Sequence, residues 1–99
     1  MGIMDSINGA ETKVRKAVIF YDLGMYKMAI DEMDFSFVQL FSMSTELWCA
    51  AKYLCAKCYL ELDKTDFAIA CCNAIINHPE FNNSYISKAE ALKKELLGE

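Results

Sequence analysis

The chain has 99 residues, 55% of them hydrophobic, and a net charge of −4 at pH 7. That length suits one domain with a modest core, and an acidic balance with no Lys/Arg cluster argues against nucleic-acid binding. No uninterrupted apolar run approaches the roughly 18 residues of a membrane span, and Asp5 and Ser6 interrupt the N-terminus before any signal peptide develops.

The apolar share exceeds the ordinary value of about 45–50%. A chain this small cannot hide all of it, so some apolar surface is expected to meet a partner or a further repeat. Met1-Gly2-Ile-Met-Asp-Ser6 fits the loose myristoylation pattern, but no basic patch accompanies it to reinforce a single acyl chain. Cys49, Cys55, Cys58, Cys71 and Cys72 make an odd count without a secretory signal. That usage points to an intracellular, reducing compartment, cytoplasm or nucleus.

Residues 1–9 are short and polar-mixed, with Asn8-Gly9 read as a breaker. A first helix is expected over about 10–23, with Val14, Ala17, Val18 and Tyr21 as its apolar stripe and Lys13, Arg15 and Lys16 on its solvated side. Gly24 tolerates positive φ and suits the end of that helix. A second helix is expected over about 25–41, where Tyr26, Ala29, Ile30, Met33, Phe37, Leu40 and Phe41 keep the helical period. Met25, Met28, Phe35 and Val38 add a second apolar strip, so this helix is read as packing on two sides.

Ser42-Met-Ser-Thr45 is a connector, and Ser44 or Thr45 can cap the next helix. That third helix spans about 46–62 through Trp48, Ala51, Cys55, Tyr59 and Leu62. Asp63-Lys64 turns the chain, with Thr65 or Asp66 as the next cap. A fourth helix follows over about 66–77 and is stopped at His78-Pro79. Asn82-Asn83-Ser84 opens a fifth, whose stripe is Tyr85, Ile86, Ala89, Leu92, Leu96 and Leu97, while Lys88, Glu90, Lys93, Lys94 and Glu95 face water. No strand-like alternation competes, so the expected fold class is all-α with about five helices.

The pattern Ala17, Phe20, Gly24, Tyr26, Ala29 returns at Ala56, Tyr59 and Ala68. Ala17 to Ala29 and Ala56 to Ala68 are both 12 residues, and the two copies are 39 apart. A helix pair repeated at a period of about 20–50 residues is the mark of a helical repeat array.

The unit resembles the tetratricopeptide repeat, whose small, aromatic, Gly, Tyr and Ala positions match Ala17, Phe20, Gly24, Tyr26 and Ala29. The second copy departs from it, with Asp63 and Thr65 where Gly and Tyr are expected. The 39-residue offset also exceeds the family's usual period of about 34, which implies roughly five inserted residues lengthening helices two and three. The resemblance covers about residues 10–79 and implies a single repeat domain of antiparallel helix pairs in a right-handed superhelix: repeat one over 10–42, repeat two over 45–79 and a C-terminal helix over 84–97. That last helix is read as a third leading helix or a cap. The string Ala51-Lys-Tyr-Leu-Cys-Ala-Lys-Cys-Tyr-Leu-Glu-Leu-Asp-Lys64 is similar to a segment in the N-terminal repeats of the scaffold subunits of the anaphase-promoting complex, a cell-cycle ubiquitin ligase. In that family those repeats clasp a second copy into a homodimer.

Catalysis finds no footing in the residues. Cys55 and Cys58 fall within a predicted helix rather than on the knuckles of a zinc site, and Cys72 lies on an apolar face, so all three read as small core hydrophobes. His78 stands alone at a helix end, where it would meet the last carbonyls and the dipole. Asp31, Glu32 and Asp34 point in different directions, and no phosphate-binding Gly loop is present. The expected surface is the concave face. Chaperone-binding repeats clamp a peptide carboxylate there, but the matching positions hold Val14 and Val18, then Tyr53 and Lys57, so that clamp is missing. Val14, Val18, Tyr21, Tyr53, Leu54 and Lys57 instead suit an apolar helix or a second protomer. The expected function is a non-catalytic protein-interaction scaffold with no cofactor and no small-molecule substrate, self-associating as a homodimer. A monomeric peptide-binding adaptor and a piece of a longer superhelix are the alternatives.

Overall fold

A computed structural model describes residues 3–78 and 84–99, with side chains from residue 9 onward. Met1-Gly2, Pro79 and Asn82-Asn83 lie outside the described residues. The fold is all-α. Six helices run in the order α1 (Ile3–Asp22), α2 (Tyr26–Glu32), α3 (Phe37–Ser42), α4 (Thr45–Glu61), α5 (Thr65–Ile76) and α6 (Tyr85–Leu97) among the described residues.

Two antiparallel hairpins, α1–α2 and α4–α5, share one turn. Gly24 has φ +76°, its N–H donates to the Tyr21 carbonyl at 2.9 Å, and the Met25 N–H donates to Phe20 at 2.8 Å. Thirty-nine residues on, Asp63 has φ +59°, its N–H donates to Leu60 at 3.1 Å, and the Lys64 N–H donates to Tyr59 at 2.9 Å. Both are Schellman closures, in which a left-handed residue lets two N–H groups satisfy the last carbonyls of the helix. Asp reaches that conformation at some cost where Gly reaches it freely. The closure recurs at Gly98, φ +75°, whose N–H bonds to Glu95 while Glu99 bonds to Lys94. Thus α6 ends as α1 and α4 do.

Between the arms of each hairpin lie small residues. Ala17, Ala29, Ala56 and Ala68 are all fully buried, which lets the backbones approach while Phe20, Tyr26 and Tyr59 fill the flanks. One core gathers Val14, Ala17, Ala29, Met33, Ala51, Leu54 and Cys58 between α1, α2 and α4. A second gathers Cys49, Ala56, Cys72, Ile75, Ile86, Ala89 and Leu92 between α4, α5 and α6. The molecule measures 48 × 31 × 18 Å.

Several expectations from the sequence are corrected. Helix α1 runs straight through Asn8-Gly9, and a Cβ at Gly9 would come within 2.6 Å of the Gln39 Nε2. Gly9 is therefore a close-approach position, not a breaker. The second helix breaks after Glu32, and α3 restarts at Phe37. Ser36 and Gln39 form a capping box there: the Gln39 N–H donates to Ser36 Oγ at 3.2 Å, and the Ser36 N–H donates to Gln39 Oε1 at 2.9 Å. The extra length between the hairpins is taken up by this break and by α3 rather than by longer helices. Ser44 caps α4 through the Leu47 N–H as expected, but Lys64, not Thr65 or Asp66, stands at the N-cap of α5. Ser84 precedes α6 without a side-chain capping bond.

Candidate protein-binding surface

Helix α1, α4 and α6 line one broad face. Their side chains form a strip of three tyrosine rings and two lysines. Lys57 Nζ lies 4.6 Å from the ring centroid of Tyr21 and 5.8 Å from that of Tyr53. Tyr53 and Tyr85 are 6.1 Å apart, and Lys88 Nζ sits 4.9 Å from Tyr85. Each such contact is worth about 0.5–1 kcal/mol near the surface; Lys88 is exposed and Lys57 half-buried. Partial burial, reinforced by the Glu61 carboxylate, raises the Tyr21 phenol above its ordinary 10.0, so it stays neutral and able to donate a hydrogen bond. At the other end of this face an open cavity of about 350 Å³ is lined by Glu11, Ser44, Glu46, Leu47, Ala50 and Tyr85. Arg15 bonds to Glu11 at 2.7 Å along its edge.

The structure divides the residues expected on this face. Val14 and Leu54 point into the α1–α2–α4 core and are closed to a partner, because their stripe is shared with Ala17 and Ala51. Val18, by contrast, is 43% exposed rather than part of the core. Tyr21, Tyr53 and Lys57 are half-buried and remain accessible. Tyr85 and Lys88 join them across α6.

The opposite side centres on the break between α2 and α3. Lys13 is not simply solvated: its Nζ donates to the Asp34 carbonyl at 2.8 Å and to Gln39 Oε1 at 2.9 Å, and lies 6.0 Å from the Phe35 ring. That clamp folds α3 onto α1. Gln39, the one buried polar side chain among the described residues, faces inward, and Phe37 and Phe41 face solvent at 81% and 85% exposure. Their rings stack 6.4 Å apart. Next to them a cavity of about 210 Å³ is walled by Met33, Asp34, Phe35, Leu40, Trp48, Ala51, Lys52 and Cys55. It continues toward Tyr59 and Cys71.

The cysteines pack as small hydrophobes. Cys49, Cys58 and Cys72 are fully buried, and Cys55 Sγ lies 3.9 Å from Met33 Sδ. Burial pushes the Cys55 thiol from its ordinary 9.0 up to about 12 and Cys58 up to about 11; the nearby Lys52 and Lys57 pull the other way without prevailing. Such thiols remain protonated and are poor nucleophiles or metal ligands. Among the described residues, no group of three or more His, Cys, Asp or Glu is placed to hold a metal, and no helix is long and apolar enough to cross a membrane. The His78 ring packs 4.8 Å from Trp48, so its place is against an aromatic as well as at a helix end. Comparison with protein families, with curated proteins and with solved structures finds no match for this chain.

Proposed function

We propose that this chain is a non-catalytic protein-interaction scaffold built from tetratricopeptide-like helix pairs, acting by shape and apolar contact in an intracellular, reducing compartment. The observation that carries the reading is the repeated hairpin. Two units closed by the same turn 39 residues apart bring α1, α4 and α6 side by side and set Tyr21, Lys57, Tyr53, Tyr85 and Lys88 in one accessible strip. Tyrosines are among the side chains that dominate protein interfaces, and the lysine stems beside them belong to the polar rim. A protein segment is the ligand this face suits.

Self-association into a two-fold homodimer is part of the proposal. It is supported by the apolar surface left outward on α3, where Phe37 and Phe41 are exposed. Membership of a multi-subunit assembly, such as the anaphase-promoting ubiquitin ligase that residues 51–64 resemble, belongs to the same reading. The open cavity between Glu11 and Tyr85 favours a second one, a monomeric adaptor that takes a peptide along the α1–α4–α6 face.

Light scattering across a dilution series separates the two. The scaffold reading expects a mass of twice 11.2 kDa that holds on dilution. A mass of 11.2 kDa at every concentration would remove self-association and leave the adaptor.

A further inference from the structure

We propose that residues 33–36 form a hinge, about which α2 and α3 join into one helix that seats Phe37 in the groove on α4. The outward α3 is one state of this device and the joined helix is the other. The hinge goes beyond the interaction role proposed above, because it decides when the phenylalanine face is on offer.

Nothing in the residues bars the joined helix. Positions 25–42 hold no Gly and no Pro, and Tyr26, Ala29, Met33, Phe37 and Leu40 keep one helical stripe. The chain stays wound past Glu32, with the Met33 N–H donating to the Ile30 carbonyl at 3.0 Å and the Asp34 N–H to Asp31 at 3.3 Å. It opens at Ser36, which is extended at ψ 165°. Two polar contacts then occupy groups that a continuous helix would use. Lys13 Nζ takes the Asp34 carbonyl, the helical acceptor for the Val38 N–H. Gln39 Oε1 takes the Ser36 N–H, which in a helix reaches Glu32. These contacts are the latch.

The groove lies where the joined helix would run. Ile30 and Asp31 share a cavity wall with Tyr59, and Met33 Sδ lies 3.9 Å from Cys55 Sγ, so α2 descends α4 antiparallel. At equal rise per residue, Phe37 comes level with Ala51 and Leu40 with Trp48. Ala51 and Trp48 are walls of the cavity of about 210 Å³, and a cavity of about 150 Å³ admits a benzene ring. The same pairing brings Ser42 level with Glu46, which leaves Met43 and Ser44 as the connector. Two residues suffice between antiparallel helices. Closing exchanges the polar contacts of the latch for burial of Phe37 and Leu40, which are exposed in the outward state. A partner that takes the outward phenylalanines binds one state alone and so holds the hinge open.

The test is amide exchange by NMR together with emission from Trp48, the only tryptophan in the chain. Both are read on the full chain, on Lys13→Ala/Ser36→Ala, and on that double variant carrying Phe37→Lys. Releasing the latch and the cap is expected to protect the Phe37 and Val38 amides about tenfold or more and to move Trp48 emission to shorter wavelength. Adding Phe37→Lys should undo both, since a second ammonium beside Lys52 and Trp48 is costly to seat. Phe37 is exposed in the outward state, so the change leaves that state intact. Should the double variant lose protection in α4, Ser36→Ala alone is read in its place. Unprotected Phe37 and Val38 amides after the release, or an unmoved Trp48 emission, overturn the hinge. Protection that survives Phe37→Lys overturns the seating of Phe37 in the groove. Neither result depends on the mass of the chain in solution, so failure here is separate from failure of self-association.

Discussion

The two hairpins begin alike and finish differently, and the residues that separate them are few. At the shared offset, Ala29 and Ile30 of α2 match Ala68 and Ile69 of α5, and both alanines are fully buried. Beyond them, Asp31 and Glu32 end α2 and Asp34 follows just past it, where α5 carries Ala70, Cys71 and Asn73. Carboxylates at a helix C-terminus face the negative end of its dipole. Ser36 then stands where α5 has Ile75, a fully buried core residue. A residue that prefers to cap ends one helix and starts another; a residue that prefers to be buried continues the helix. The first hairpin therefore stops short and sends α3 sideways, while the second runs twelve residues and accepts α6 on top.

The strongest test of that contrast is Ile75→Ala. It removes buried volume from the α4–α5–α6 core and is expected to cost about 2–5 kcal/mol in urea unfolding. The companion change Ser36→Ala should cost about 1 kcal/mol through the lost cap. If the two losses were equal, the hairpins would not differ as described.

The shared turn offers a second comparison. Replacing Gly24 by Val puts a β-branched side chain at φ +76° and is expected to destabilise by about 1–2 kcal/mol. Asp63→Gly should be neutral or stabilising by less than about 1 kcal/mol, since relief at the left-handed residue is offset by backbone entropy. Opposite signs in thermal unfolding would show that both turns make the same demand and meet it with different residues. Gln39→Ala removes the acceptor of Lys13 and of the Ser36 N–H; a loss of about 1–2 kcal/mol is expected, confined in hydrogen exchange to residues 33–42.

Stability is also expected to depend on pH. Cys55 and Cys58 have folded-state pKa values near 12 and 11, above their ordinary 9.0. The folded chain therefore holds protons that the unfolded chain releases between about pH 9 and 12. Stability from these groups is full below pH 9 and declines as the pH rises through that window. Urea midpoints measured from pH 8 to pH 10.5 should fall in the upper half of this range, and Cys55→Ala should flatten the decline.

Much of this was legible in the residues. The 12-residue spacing between alanines, the 39-residue offset and the turn glycine placed both hairpins, since small residues at a crossing and a left-handed cap are local requirements. The break was not read, because Tyr26, Met33, Phe37 and Phe41 keep a helical period straight across it. Periodicity registers spacing and is blind to where a helix stops. The signal lay in Ser36-x-x-Gln39, a capping-box spacing. Gly9 and Lys13 escaped for another reason: their partners, Gln39 and Asp34, are more than 20 residues away. Val14 and Val18 sit four apart on one stripe, yet only the packed structure shows that the first is core and the second is surface.

The break after Glu32 sets α3 outward, and backbone amide exchange followed by NMR tests it most directly. The first N–H groups of a helix have no acceptor within it, so the amides of Phe37 and Val38 should exchange at once while those in the middle of α4 are protected. Protection of Phe37 and Val38 equal to that of α4 would mean one continuous helix over 25–41, and the outward phenylalanine face would not exist.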